Sequence, residues 1–271
     1  MYKYNEKKYV EHILNNGFSG KHINNEIRLL AIHYKEHGYN EAERENLLYN
    51  FCEKNLEAFD RVEYFKKINA ALNNANKDET RLIEVPEVKV NQTELTYIDE
   101  LELSHDYKKI IFTLLVLDKL NKEVQRQRNP EKLNGEHFFG GTNKNYKELI
   151  DASTVHMKSK KIHSIIRELS ELEIVEVRGK GYIKLSFLYN LSNSKVPTIT
   201  IKAYDEIGLY YDLYAGIKKV KQCESCDIPI KVNGKYKKYC DTCAKKIKRE
   251  QTREIAKKSM RKLRQNNVKK V

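Results

Sequence analysis

A mainly α fold with small amounts of β structure (α+β), divided into several small units, is predicted by three features of the chain. Apolar residues recur at helical spacing through the first 80 residues. An order of helix, helix, turn, helix and hairpin is legible between residues 105 and 192. Two Cys-x-x-Cys pairs, separated by 13 residues, then precede a run of lysine and arginine. A chain of 271 residues accommodates two or three small domains, each with its own core. Its longest apolar run, Ile110 to Leu117, is too short to cross a bilayer of about 30 Å. The opening MYKYNEKKYVEH has no apolar signal core, so the expected location is a cytoplasm, with no membrane partner. In that compartment clustered thiols take metal rather than disulfides.

Residues 1–80 read as a helical domain. IRLLAIHYKEHG places Ile27, Leu30, Ala31 and Tyr34 on one face, with Gly38 as a stop. Asn40 opens a second helix with Leu47, Leu48, Phe51 and Cys52 inward, and Cys52 is expected to be a buried, inert thiol. A third helix, VEYFKKINAALNNA, is expected to turn Val62, Phe65, Ile68 and Leu72 inward. The segment from GKHINNEIRLLAIHYKEHGYNEAERENLLYNFCEKN to FDRVEYFKKINAALNNA resembles the small helical domain that follows the catalytic module in phage and plasmid primases. The resemblance covers about a quarter of the chain. It implies a replication context without primase activity, because no pair of closely spaced aspartates on an apolar strand precedes it.

Residues 81–104, with Pro86 and many charges, read as a linker holding one short extended piece. Residues 105–192 carry the sharper pattern. HDYKKIIFTLLVLDKLNK is a helix with Ile110, Ile111, Leu114, Leu115 and Leu117 inward. After a polar connection come a short helix (NYKELIDAS), a turn (TVHMK) and a longer helix whose stripe is Ile162, Ile165, Ile166, Leu169 and Leu172. IVEVRGKGYIKLSFL closes the segment as a hairpin around Arg178-Gly179-Lys180-Gly181. This order is similar to the winged helix-turn-helix superfamily. In such a domain Lys158, Lys160, Lys161, Ser164 and Arg167 would face a major groove, and Arg178 and Lys180 would follow adjacent phosphates from the wing. Docking of a protein is the alternative use of the same module.

Residues 193–220 read as a connector with an extended piece, Thr198 to Lys202, and an aromatic-rich helical turn holding Tyr204, Tyr210, Tyr211 and Tyr214. Packing is the expected role of these tyrosines, and stacking of single-stranded bases is the alternative. Cys223, Cys226, Cys240 and Cys243 then supply two turns with the right bite for a tetrahedral ion, and Asn233-Gly234 serves as the tip between them. The arrangement over residues 221–244 is that of a zinc ribbon holding one structural Zn2+. Four thiolates leave no open position, so the metal carries no catalysis. A redox dithiol and an iron–sulfur cluster are the lesser alternatives.

The basic tail, residues 245–271, is helix-prone, with Lys245, Lys246, Lys248, Arg249, Arg253, Lys257, Lys258, Arg261, Lys262 and Arg264 as candidate phosphate contacts. From Ile217 onward there are 19 Lys/Arg against 5 Asp/Glu, whereas the preceding residues hold 32 against 33. The whole positive excess therefore sits in the last fifth of the chain, which suits a polyanion. Ribbons followed by such tails are similar to those ending many small proteins of bacterial mobile elements.

The combined expectation is a non-enzymatic, sequence-specific DNA-binding protein of a phage or mobile element, acting in replication initiation or its control. Double-stranded DNA is the expected partner, and residues 1–80 are expected to dock a replication or transcription protein; a homodimer is left open. A transcription regulator is the first alternative. RNA binding, or an unrecognised nuclease, metallohydrolase or primase-related enzyme, follows it. One literal metalloprotease-type pattern, His33-Tyr34-Lys35-Glu36-His37, ends one residue before the Gly38 stop. Two solvated histidines at a helix C-terminus are its simpler explanation, so no catalytic residue is assigned.

Overall fold

In the computed structural model, which describes residues 4–128, 139–140, 142–189, 197–232 and 237–268, polar side chains cap the first helices. The side chains of residues 159, 160, 180, 189 and 262–268 lie outside that description. Asn5 accepts the Lys8 N–H at 3.1 Å and opens α1 (Glu6–Asn16). Helix α2 (Ile23–Glu36) ends at the expected glycine, Gly38, which has φ +83°. Asn40 and Glu43 exchange hydrogen bonds as a capping box at the start of α3 (Glu41–Asn55), and Asp60 caps α4 (Arg61–Asn76). These four helices enclose one core, built on Val10, Ile13, Ile27, Leu30, Leu48, Cys52, Ile68 and Leu72. Burial pushes the Cys52 thiol up to about 12.

The expected inward face of α4 needs correction. Val62 and Phe65 are 85% and 52% exposed, and the buried face is Tyr64, Ile68, Ala71, Leu72 and Ala75. Two steps of three residues leave Val62 about 120° around the helix from Ile68 at 3.6 residues per turn, so the three do not share a face.

The segment expected as a linker is also corrected: residues 83–101 build part of a second core. Strand β1 (Val88–Asn91) pairs antiparallel with β5 (Pro197–Ile201), with Val88 opposite Ile201 and Val90 opposite Ile199. A second capping box, Asn91 with Glu94, starts α5 (Gln92–Glu100), which buries Leu95 and Ile98. Tyr4 joins this core from the far end of the chain. The Val85 N–H donates to its carbonyl at 2.8 Å, its ring meets Tyr204 edge-on, and the Glu6 N–H donates to Ile83 O at 2.7 Å.

Helix α6 (His105–Arg128) runs through the middle of this core, and every side chain from Lys109 to Leu117 is buried. A helix apolar on all sides requires cover on all sides. That cover comes from α5, from α7 (Asn143–Ser153) and α8 (Ser159–Glu171), and from a small antiparallel sheet. The sheet has the order β2-β4-β3, from Phe139–Gly140, Tyr182–Leu185 and Val175–Arg178. Gly181, at φ +76°, ends the turn between β3 and β4, and the Tyr146 hydroxyl donates to its carbonyl at 2.5 Å. In α8 the buried stripe is Ile162, Ile165, Ile166 and Leu169. Leu172, expected on the same stripe, lies just past the helix end and is 55% exposed.

Helix α9 (Gly208–Tyr214) closes the core against α6 and α7. A Cβ on Gly208 would lie 1.9 Å from the carbonyl oxygen of Ser153, so only glycine fits. Asp212 anchors the same contact, accepting from the buried Lys109 amine at 2.7 Å and facing His105 at 2.7 Å. A two-stranded antiparallel pair, β6 (Val220–Gln222) and β7 (Pro229–Lys231), packs on α9 and leads to α10 (Asp241–Val268).

Candidate metal centre and nucleic-acid interface

The turn between β6 and β7 presents the first two cysteines. The Cys223 N–H donates to Ile228 O at 2.9 Å, and the Asp227 N–H donates back to Cys223 O at 3.0 Å. Asp227 takes a left-handed φ of 59°, tightening the turn around Cys226. The second pair lies at the root of α10. Cys240 precedes its first residue and accepts the Ala244 N–H at 2.8 Å, while Cys243 sits in its first turn. The Glu224 N–H to Lys238 O bond, 3.1 Å, ties the two halves together.

All four sulfurs lie within 4.8 Å of one another. Cys226 and Cys240 are 3.7 Å apart, matching the edge of about 3.8 Å that a tetrahedron with metal–sulfur bonds of about 2.3 Å requires. A disulfide needs about 2.05 Å, and all four thiols are free. Backbone N–H groups also point at the sulfurs: Cys240 N lies 3.2 Å from Cys223 Sγ, and Cys243 N lies 3.4 Å from Cys240 Sγ. Burial works against ionising Cys223, yet the N–H groups of Cys240, Ser225 and Cys226 outweigh it and hold this thiol at about 6. Burial, with sulfur hydrogen bonds added, pushes Cys226 up to about 12, and burial raises Cys240 as well. A thiolate is thus favoured at Cys223, whereas Cys226 and Cys240 resist ionisation without a cation. The residues fit a metal ion bound by four thiolates.

Among the described residues the cysteines form the one group of three or more His, Cys, Asp or Glu side chains close enough to share an ion. His33 and His37 stand on one helical face with ring centroids 4.0 Å apart, but Glu36 accepts the Leu82 N–H at 2.8 Å.

The expected nucleic-acid contacts fall on three elements. Lys158 is the exposed N-cap of α8, and Lys161, Ser164 and Arg167 occupy the exposed face opposite the isoleucine stripe. Ser164 donates to Glu168 at 3.0 Å, and Tyr107 donates to the same carboxylate. These two hydrogen bonds, that from Tyr107 foremost, hold the Glu168 carboxyl below the usual carboxylate range. Arg167 pairs with Glu171 at 3.3 Å, and Arg178, at the end of β3, pairs with Glu176 at 2.7 Å. On α10, Lys245, Lys246, Lys248, Arg249, Arg253, Lys257, Lys258 and Arg261 are all exposed. The side chains of Lys160, Lys180, Lys262 and Arg264 lie outside the described residues, as does the tip at Asn233-Gly234.

Two surface residues were not anticipated. Thr252 joins Lys245, Lys248, Arg249 and Arg253 along a shallow groove on one face of α10. Their spacing of 3, 1, 3 and 1 residues was available as a signal. Tyr182, opposite Arg178 in the sheet, is 42% exposed, and the inward alternation of Ile183 and Leu185 signals its outward direction.

No helix among the described residues is long and apolar enough to cross a membrane. Comparison with protein-family models, with curated proteins and with solved structures found no match to this chain.

Proposed function

We propose that the protein is a non-enzymatic, sequence-specific DNA-binding protein of a phage or other mobile element, acting in replication initiation or its control. One observation carries the reading. A 28-residue helix with ten Lys/Arg against three Asp/Glu leaves the rest of the chain directly from a four-thiolate cluster. From Lys248 to Arg261 every one of its side chains faces solvent. Such a helix has no core to bury, and its charge suits a phosphate backbone. The cluster, filled by Zn2+ as a ribbon-type site, fixes where the helix begins.

The arrangement of α6, α7, α8 and the three-stranded sheet supports a winged helix-turn-helix reading, with α8 as the reading helix and the β3–β4 turn as the wing. The pairs of Arg167 and Arg178 with neighbouring glutamates are exposed, and such pairs are worth about 0–1 kcal/mol, so phosphate displaces the carboxylates at little cost. The exposed Val62 and Phe65 on α4 support docking of a protein partner by the N-terminal helices, whose resemblance to a primase-associated domain implies the replication context.

The test is a salt titration of the full, zinc-loaded chain with matched duplex DNA, single-stranded DNA and RNA. Tightest binding to duplex, with log affinity falling linearly in log salt, is the expected result. Tightest binding to RNA, or no binding to any polymer near physiological salt, would overturn the reading.

A further inference from the structure

A cleft of about 360 Å3 opens between β5, the end of α9 and the turn at Cys226–Ile228. Apart from Cys226, no residue assigned above to metal or phosphate lines it. Its defining side chain is Tyr214, the last residue of α9, which is 37% exposed. The Tyr214 hydroxyl donates to Asp99 Oδ2 at 2.6 Å, while Tyr211 donates to Oδ1 of the same carboxylate at 2.7 Å. Tied in this way, the Tyr214 ring is a fixed flat plate on the cleft wall. Gln222, Asp227, Thr200 and Lys202 line the same cleft, and their side chains carry an amide, a carboxylate, a hydroxyl and an amine. Behind it, the Tyr210 hydroxyl accepts the N–H groups of Lys202 and Ala203 at 3.0 and 3.1 Å, which rigidifies the end of β5.

An anchored aromatic plate, hydrogen-bonding groups of both polarities and one cation complement a nucleotide. The plate offers a stacking face. The amide and carboxylate offer edge contacts, and the amine suits the attached phosphate. The volume is near the lower end of the range of about 300–1,000 Å3 for small-molecule sites, and so suits one base rather than a stacked pair. Position adds a second argument. Cys226 lines the cleft, and its sulfur lies 3.7 Å from that of Cys240, the residue just before α10. The cleft and the root of the cationic helix are therefore neighbours.

We propose that this cleft takes one unpaired nucleobase from a nucleic-acid strand whose phosphates α10 holds. The proposal rests on the nucleic-acid reading above and names a substrate feature for it: an unstacked nucleotide, as at a melted site or a junction of single and double strands.

The test uses the full, zinc-loaded chain with a fluorescein-labelled oligothymidylate, an oligouridylate and a blunt hairpin duplex. Tyr214→Ala is expected to weaken oligothymidylate binding by about ten- to hundredfold while leaving hairpin binding within about twofold. Tyr214→Phe keeps the ring but loses the Asp99 anchor, and is expected to bind the single strand between the parent and Tyr214→Ala. Gln222→Ala, away from the Asp99 anchor, is expected to lower single-strand binding alone, and metal content checks that each variant folds. An oligonucleotide bearing 5-iodouracil is expected to cross-link to the peptide containing Tyr214. Equal loss across the oligouridylate and oligothymidylate arms assigns the cleft to bases of either polymer, and loss confined to one assigns it to that polymer. The cleft proposal fails alone if the parent chain binds but Tyr214→Ala matches it, if Tyr214→Ala loses hairpin and single strand alike, or if cross-links fall only on α10. It also fails if an extended peptide protects the β5 amides from exchange and the oligonucleotide does not displace it. A parent chain that binds no polymer removes the functional reading and the cleft proposal together.

Discussion

Cys240 serves two structures at once. Its sulfur belongs to the four-cysteine cluster able to hold a metal ion, and its carbonyl accepts the Ala244 N–H in the first turn of α10. Cys240→Ser is expected to abolish stoichiometric zinc, measured by atomic absorption, and to weaken DNA binding by loosening the root of the helix. Protons compete with the ion at the same sulfurs. Cys226, at about 12, is protonated near neutrality without metal, so binding must expel its proton. Cys223, at about 6, is mostly ionised there already. Metal affinity should therefore rise with pH and fall on acidification, most steeply once Cys223 also takes up a proton below about 6; competition with a chromogenic chelator at several pH values measures this. Gly208 is the backbone counterpart of these positions. Gly208→Ala forces a Cβ onto Ser153 O and is expected to cost about 2–3 kcal/mol, read as a drop in Tm.

At the scale of elements, the proposed function assigns sequence reading to α8 and backbone grip to α10. Charge reversal at Lys161 and Arg167 on the exposed face of α8 should reduce discrimination between a specific duplex and a random one. Removal of residues 250–271 should lower affinity for both duplexes alike and flatten the salt slope; loss of preference with unchanged affinity would reverse this division. The same elements show what periodicity can and cannot convey. The stripe Ile162, Ile165, Ile166, Leu169 repeats at helical spacing, and a capping residue marks α3, so both were readable locally. The cysteine spacing likewise announced the cluster. A short extended piece was readable at β1, but its pairing was not, because Val88 and Val90 gain a partner only from Ile199 and Ile201, more than a hundred residues later, and Pro86 reads as a breaker. The cleft beside Tyr214 was hidden for the same reason. Its walls come from β5, α9 and the cysteine turn, and its anchor, Asp99, comes from a segment that looked like a linker.

Across the whole molecule, two cores meet near Leu82 and Ile83, and Tyr4 with Glu6 crosses between them. Glu6, nearly fully buried, accepts the Ile83 N–H at 3.0 Å and pairs with Arg28 at 3.2 Å, so the junction is polar and specific rather than greasy. Glu6→Leu should leave each helix intact yet loosen this junction, because the Ile83 N–H loses its acceptor and Arg28 its partner. Hydrogen exchange at Ile83 and Val85 reads the loosening, while the amides of α6 remain protected. The net charge follows the opposite plan, with an almost neutral body and a cationic extension. Under the proposed function, a polyanion would be attracted first to this one end, before reaching α8 and the β3–β4 turn.

The β1–β5 pairing has a consequence for synthesis. As the nascent chain leaves the ribosome, Val88–Asn91 emerges long before Pro197–Ile201 exists to receive its hydrogen bonds. During that interval the edge of β1 has no β5 partner, and native pairing waits until residues 197–201 have been made. A polypeptide released early, at residue 192, would carry a strand with no mate, and chaperones or proteases would meet it in that state.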